Sequence, residues 1–384
     1  MKIMTAMYSL KRGGAYDRFM MMVHAFLERK AEVHCLSLTP IPVHHELYHN
    51  HLVRMPFQWG TGLMTKAMIL IFFPLHSFWI AWREQIDLFV SFSSLYAFIQ
   101  GIPKCLVSRK MVTFVRGDSS SGLEAQGVSH LILWANHQIE FLGLLFSDRI
   151  ITVNHDFRER ILKVMGKRHR GKVSVLYNNI PSLSPSVPGE TVQIRQRYGI
   201  PDDSKLIVTA GVLHRGKNIE RLLHSLVRID HENLFLFIIG EGRTTADAQY
   251  ERFLRGMTED LGLVQHVMFT GWLEKEVAWG IFRSADLFVL PSKSEGMPNV
   301  LLEALGCNLA CFGSDIPGVR EILSHRALLF DPDDESLLAK QIEQFLCSEV
   351  FSEEIKRLCQ GRKENFSFDW EERVFQTITE NVGV

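Results

Sequence analysis

Short apolar runs of strand length recur along this chain with helix-length stretches between them, and the series runs twice, on either side of one Pro/Ser-rich break. In the first half the runs fall at 2–8, 32–38, 88–92, 111–115, 149–153 and 173–177; in the second they fall at 206–210, 234–239, 267–269, 287–290, 309–312 and 327–330. Such alternation predicts parallel sheets with helices on both faces. Ile219, Leu222, Leu223, Leu226 and Val227 mark the buried stripe of one intervening helix. The break at 181–189, with four Pro and Gly residues among its serines, reads as a linker. A chain of 384 residues, 46% hydrophobic, can bury two cores. Two doubly wound domains are therefore expected, 1–180 and 190–365, with ligands in a cleft at the sheet edges.

The net charge of −1 conceals an asymmetry, because residues 1–180 carry 21 Lys and Arg against 12 Asp and Glu, and the remainder 21 against 31. A basic half suggests an anionic partner, either a membrane surface or a charged acceptor. The densest stretch, 158–172, contains Lys163, Lys167, Arg168 and Arg170, and a solvated helix face is the alternative. No nucleic-acid-binding motif accompanies the charge, so nucleic acid is not expected as a partner. Six cysteines without zinc-site spacing read as buried free thiols of a reducing cytoplasm. The N-terminus reads as a strand, not a signal peptide. The apolar run 67–82 is interrupted by Pro74 and His76 and is shorter than the ~20 residues that cross a bilayer. It is expected to be a core helix, with an interfacial helix anchored by Trp79 and Trp82 as the alternative.

The densest chemistry lies in Ser294-Glu295-Gly296-Met297-Pro298-Asn299-Val300-Leu301-Leu302-Glu303-Ala304. A strand at 287–290 leads through a polar loop holding Glu295 into a helix, with Pro298 suited to its first position and Glu303 about two turns inside. A helix N-terminus favours anions, so a diphosphate or sugar hydroxyls fit there. Two glutamates flanking an ordinary amphipathic helix is the alternative.

With its flanking sequence this stretch resembles the retaining glycosyltransferases of family 4, whose signature of Glu, seven residues, Glu is matched by Glu295 and Glu303. The resemblance extends in order through Ala210-Gly211-Val212-Leu213-His214-Arg215-Gly216-Lys217-Asn218, Ile239-Gly240-Glu241-Gly242, Phe269-Thr270-Gly271-Trp272 and Ser314-Asp315-Ile316-Pro317-Gly318. It implies the GT-B fold, two facing Rossmann-like domains with an interdomain cleft, and residues 366–384 as a C-terminal helix returning to the first domain. It implies a nucleotide sugar as donor, most often UDP-linked, a glycan or lipid-linked acceptor, and transfer with retained configuration. The implied setting is cell-surface polysaccharide or lipopolysaccharide synthesis in the cytoplasm or at the inner face of its membrane. A sugar-nucleotide epimerase of the same architecture, or a catalytically silent nucleotide-sugar-binding homologue, are the rivals.

Carried over residue by residue, the resemblance places Lys217 on the leaving diphosphate, Glu295 on the sugar, and Glu303 on the ribose. Arginine usually follows the glycine matched by Gly211; Val212 stands there, and Arg215 is the nearest substitute. Gly13 and Gly14 resemble the family's glycine pair, where backbone approaches phosphate closely, with a plain strand-to-helix turn as the alternative. Gly211, Gly240, Gly296, Met297, Pro298 and Asn299 would line the donor, and Trp272 and Leu273 would meet the nucleobase unless Trp272 merely packs. Lys11 and Arg12, with Arg116 and Asp118 after the strand at 111–115, would contact the acceptor; a structural Arg–Asp pair across a turn explains the last two equally well. No metal and no cofactor is expected.

Overall fold

The computed structural model describes residues 1–7, 14–54, 63–117, 129–230 and 233–382. It divides into two units, Met1–Tyr177 with Asp369–Val384, and Asn178–Phe368. In the first unit β1 (Lys2–Ala6), β2 (Glu32–Ser37), β3 (Tyr48–Leu52), β4 (Leu88–Ser91), β5 (Lys110–Val115), β6 (Arg149–Thr152) and β7 (Val173–Val175) form one parallel sheet in the order β3-β2-β1-β4-β5-β6-β7. The apolar runs earn their place there, because Ile3, Met4, Val33, Leu36, Leu88, Phe89, Val90, Met111 and Val112 are all fully buried.

β3 escapes the sequence reading. Its central residues, His-Asn-His, give no apolar run, and an edge strand needs fewer apolar residues because one flank faces solvent.

In the second unit β8 (Lys205–Ala210), β9 (Leu234–Ile239), β10 (Val267–Gly271), β11 (Leu287–Leu290), β12 (Ala310–Ser314) and β13 (Leu329–Phe330) pair in the parallel order β10-β9-β8-β11-β12-β13. The order reverses between β8 and β11, and in such sheets ligands bind beyond the strand C-termini at that reversal. Both units are thus doubly wound, Rossmann-like α/β domains.

The helix Ile219–Leu226 buries Ile219, Leu222, Leu223 and Leu226 as its stripe predicts, whereas Val227 lies past its end and is exposed. The Pro/Ser-rich stretch is no free linker, since it belongs to the second unit. Ile180 and Leu183 cover Gly306, where an added Cβ would lie 2.6 and 2.9 Å from them. Arg283 holds Glu190 through two hydrogen bonds of 2.6 and 2.9 Å and also donates to the Ser184 carbonyl.

Phe366 ends a helix of the second unit, and the last helix, Trp370–Val382, belongs to the first. It packs on the helix Gly14–Glu28 through Phe375 against Phe26, an Arg29–Glu372 ion pair, and Trp370, which lies buried beneath the Arg18 guanidinium.

Two expectations divide. The run 67–82 lies in the helix Leu63–Arg83, which buries Ile69, Phe73, Ile80 and Ala81 yet exposes Ile71, Leu75, Phe78, Trp79 and Trp82, so it is a core helix on one side only. Among the described residues no helix is long and apolar enough to cross a membrane. All six cysteines are free, but only Cys35, Cys307, Cys311 and Cys359 are buried; Cys105 and Cys347 are exposed because they fall on the solvent sides of their helices.

Candidate active site

Three loops of the second unit meet at the C-terminal ends of its central strands. After β8 the chain turns at Gly211, whose φ of +141° L side chains rarely adopt, and passes through Arg215–Lys217 into the helix at Ile219. Asn218 sits left-handed at φ 54° and makes the turn rigid by donating to the carbonyls of Pro291 (3.1 Å) and Pro332 (2.9 Å). The loop after β9 is stitched to it by Gly211 N–H to the Ile239 carbonyl at 2.9 Å and Leu213 N–H to the Glu241 carbonyl at 3.1 Å. Gly240 in turn donates to the Gly271 carbonyl at 2.9 Å, which fastens the end of β10. The loop after β11 is tied in by Lys293 N–H to the Gly216 carbonyl at 2.9 Å.

Within this frame Lys217 and Glu295, 78 residues apart in sequence, form an ion pair at 2.7 Å, with 13% and 16% of their side chains exposed. The lysine runs across Gly211, where a Cβ would stand 2.9 Å from Nζ and 3.0 Å from Cε. Glycine is therefore required at 211 by backbone angle and by the path of the lysine together. Ser292, fully buried, donates to the same Glu295 oxygen at 2.9 Å. Gly318 presses on the loop from below, since a Cβ there would meet the carbonyl oxygens of Gly296 at 2.2 Å and Glu295 at 2.4 Å.

His214 accepts the Gly216 N–H through Nδ1 at 3.1 Å, and burial, aided by the Lys217 charge, holds its pKa below the usual imidazole value. It is a neutral turn-former. Arg215 is exposed, with its guanidinium 5.8 Å from the Phe253 ring centre instead of beside Glu295.

The helix starts at Asn299, one residue later than expected, and Pro298 is its N-cap. The Pro298 carbonyl accepts from Leu301 and Leu302, which an N-cap residue does without needing any N–H of its own. Met297 is buried, and Asn178 donates through Nδ2 to the Met297 carbonyl at 3.1 Å and to Asn299 Oδ1 at 2.8 Å. These two residues anchor the loop. Glu303 accepts from Trp279 Nε1 at 3.4 Å. Trp272 is exposed, and the Arg243 guanidinium lies 4.8 Å from its ring centre. Arg243 has no motif of its own in the sequence; only the Gly240–Gly271 stitch brings it to Trp272. Leu273 is half-buried beside them.

A cavity of about 460 Å³ lies at the opposite end of these strands, among Lys205, Asp286, Cys307 and Ala310, and takes no part in this site. The expectation of no metal goes with a chain free of Asp-x-Asp motifs, but one such triplet exists, Asp331-Pro332-Asp333; Asp331 accepts the Asp333 N–H, and Asp333 pairs with exposed Lys293 at 3.4 Å.

In the first unit, Lys11, Arg12, Gly13 and Asp118 lie outside the described residues, and Gly14 opens its helix. Arg116 is half-buried over Phe92, its ring centre 5.4 Å away, and burial beside the Arg18 charge pushes its pKa down to about 9.

Residues 191–362 match the family described as Glycosyl transferases group 1, a stretch contained in the second unit. An uncharacterized glycosyltransferase of Methanocaldococcus jannaschii is 29% identical over 195 residues, 50% of this chain and 48% of its own. The serotype-specific mannosyltransferase WbdA of Escherichia coli is 28% identical over 176 residues, 46% of this chain and 21% of its own. The chain thus spans about half the length of the first of these relatives and about a fifth of the second. HepE of Anabaena, solved with UDP-glucose, superposes with a TM-score of 0.80 at 17% identity, over 99% of this chain and 100% of its own. WaaG, a glycosyltransferase involved in lipopolysaccharide biosynthesis, gives 0.76 at 16% identity, over 98% and 99%. At such identities these structures establish the fold, two parallel-sheet Rossmann-like domains.

Proposed function

We propose that this chain is a retaining glycosyltransferase that moves a sugar from a nucleotide diphosphate sugar, UDP-linked, to a glycan or lipid-linked acceptor of cell-surface polysaccharide or lipopolysaccharide. The observation that carries the reading is the Lys217–Glu295 pair at the β8/β11 reversal. A cation for a departing phosphate and an acceptor for sugar hydroxyls stand side by side there, as the two ends of a phosphate–sugar linkage require. Lys217, with Arg215 once it leaves Phe253, neutralises the diphosphate, and no metal is assigned to the transfer. The nucleobase stacks by Trp272 and Arg243, and Glu303 holds the ribose. The acceptor hydroxyl bonds to the anomeric carbon on the face from which the phosphate leaves; that carbon's bond to phosphate breaks, and the phosphate oxygen takes the hydroxyl proton. No side-chain base is then needed, in keeping with the absence of histidine between Pro103 and Ser129. Arg116 is the acceptor-side candidate in the first unit.

The glutamates separate experimentally. Glu303→Ala is expected to weaken UDP binding measured calorimetrically, and Glu295→Ala to leave UDP affinity nearly unchanged while turnover collapses. Equal losses of UDP affinity would sink the division of roles. Val212, with Arg215 turned to Phe253, favours a second reading, a silent nucleotide-sugar-binding subunit. Release of UDP from a panel of UDP-sugars, with and without acceptor extracts, distinguishes the two, because a silent subunit binds and releases nothing.

The acceptor side is proposed to work at an anionic membrane face. Besides Trp79 and Trp82, the neighbouring helix Ser94–Leu106 exposes Ile102 and Leu106, and His130–Phe146 exposes Leu131 and Trp134. Lys163, Lys167, Arg168 and Arg170 are exposed. Sedimentation with anionic vesicles is expected to fall with salt and on neutralising these four, each contributing about 1 kcal/mol. The double variant Trp79→Gln, Trp82→Gln is expected to lose vesicle binding at an unchanged melting midpoint, because both rings are exposed. Binding that ignores lipid charge and both rings would refute this.

A further inference from the structure

β2 and β3 lie side by side in parallel, with His34 opposite His49 and Leu36 opposite His51. Side chains alternate along a strand, so Glu32 and His34 share one face of β2, and His49 and His51 share one face of β3. The contacts show that the two faces are the same. Glu32 Oε1 lies 3.0 Å from His34 Nε2 and 3.1 Å from His49 Nε2. His34 Nδ1 lies 2.9 Å from His51 Nε2, and the two rings are parallel to within 7°, as an in-plane hydrogen bond between them requires.

We propose that Glu32, His34 and His49 form a binding site for a divalent cation of the zinc class on the edge of the first unit's sheet, with His51 orienting His34. The three donor atoms lie within 4.8 Å of one another. Zinc–nitrogen and zinc–oxygen bonds of about 2.0–2.2 Å set the corners of a tetrahedron about 3.4 Å apart, so the two measured edges need to open by only a few tenths of an ångström. Two imidazoles and one carboxylate suit zinc or its neighbours and not magnesium or calcium, which take all-oxygen shells. Three protein ligands leave a fourth position for water.

The surroundings fit. Lys2 Nζ engages the other oxygen of Glu32 at 3.2 Å, which leaves Oε1 for the ion. Once His34 Nε2 is given to the ion, Nδ1 carries the proton and donates it to His51 Nε2, the outer hydrogen bond that metal-bound histidines regularly make. The ion would clamp the polar edge strand β3 to β2. None of these residues belongs to the donor site.

The test uses the full chain with its exposed thiols, Cys105 and Cys347, alkylated, then stripped with chelator and dialysed. Zinc is added and measured by equilibrium dialysis with elemental analysis, alongside thermal melting. One tightly held zinc per chain is expected, with a raised melting midpoint and no such effect of magnesium. His49→Gln, at a partly exposed position that tolerates the change, should abolish tight binding, and His51→Asn should weaken it by about 10- to 100-fold. His325→Gln, exposed in the other unit, should change nothing. Cobalt in place of zinc should show tetrahedral absorption that His49→Gln removes. Unaltered zinc binding in His49→Gln, or none in the alkylated parent, would mean that the cluster is a hydrogen-bonded network only.

Discussion

Lys217→Ala is expected to lower turnover by about 10²- to 10³-fold, the loss seen when one preorganised donor to developing negative charge is removed, while the protein stays folded. The charge is aimed by construction. Its stem lies over Gly211, and its ammonium is held 2.7 Å from Glu295 with little exposure to water, so a neighbouring cation cannot simply replace it. Lys217→Met, which keeps the stem and drops the charge, should fall as far as Lys217→Ala, and that pairing separates charge from packing. The measurement is kcat with a nucleotide sugar, read beside the melting midpoint. Near-native turnover in either variant would remove Lys217 from the chemistry. Arg215→Ala reads the second cation, because a fall in kcat means that the guanidinium leaves Phe253 for the diphosphate, and native kinetics leave Val212 uncompensated.

Gly240→Ala is expected to be the most destabilising single-methyl change in the second unit. A Cβ there would stand 1.9 Å from the Gly211 carbonyl oxygen, at a φ of +128°. The clash is with backbone that is itself stitched to Ile239, so it cannot swing aside as a flexible side chain would. Left-handed strain of about 1–2 kcal/mol and overpacking of about 1–3 kcal/mol together predict a loss of roughly 3 kcal/mol or more. At about 2–4 °C per kcal/mol, the unit's melting midpoint should drop by roughly 6–12 °C. Gly256→Ala is the control. It lies in the helix Thr245–Asp260 with nothing within 4 Å of its Cβ, and should stabilise by about 1 kcal/mol. Equal melting of the two variants would show that the Gly211–Gly240 contact does not hold the loops.

The doubly wound fold was legible because its cause is local. A strand buried on both faces is apolar at nearly every position, and Leu206–Ala210, Leu234–Ile239 and Leu287–Leu290 announce themselves without any knowledge of their partners. β3 was not, because an edge strand of His, Asn and Tyr has no such obligation. The packing of the 181–189 stretch was not legible for a related reason. Proline and serine at 181–189 signal the absence of regular structure, which says nothing about whether Arg283 and Gly306 hold the segment down. Gly211, Lys217 and Glu295 lie in loops beyond strand ends and Glu303 inside the helix that follows, and the family resemblance, not their spacing, singled them out as candidates.

What consecutive residues could not contain is the relation between loops. That Lys217 meets Glu295, that Arg215 turns to Phe253, and that Arg243 lies on Trp272 follow from which strands are neighbours and how their loops are stitched. The same holds for Glu32, His34, His49 and His51, two short pairs whose spacing looks like ordinary strand alternation. The sequence by itself determined two parallel-sheet domains and the chemical character of the β8 and β11 loops, because burial and backbone angle act residue by residue. Only the tertiary structure decided which charges are partners and which histidines share a carboxylate, because ion pairs and metal shells depend on distances of about 3 Å between atoms far apart in the chain.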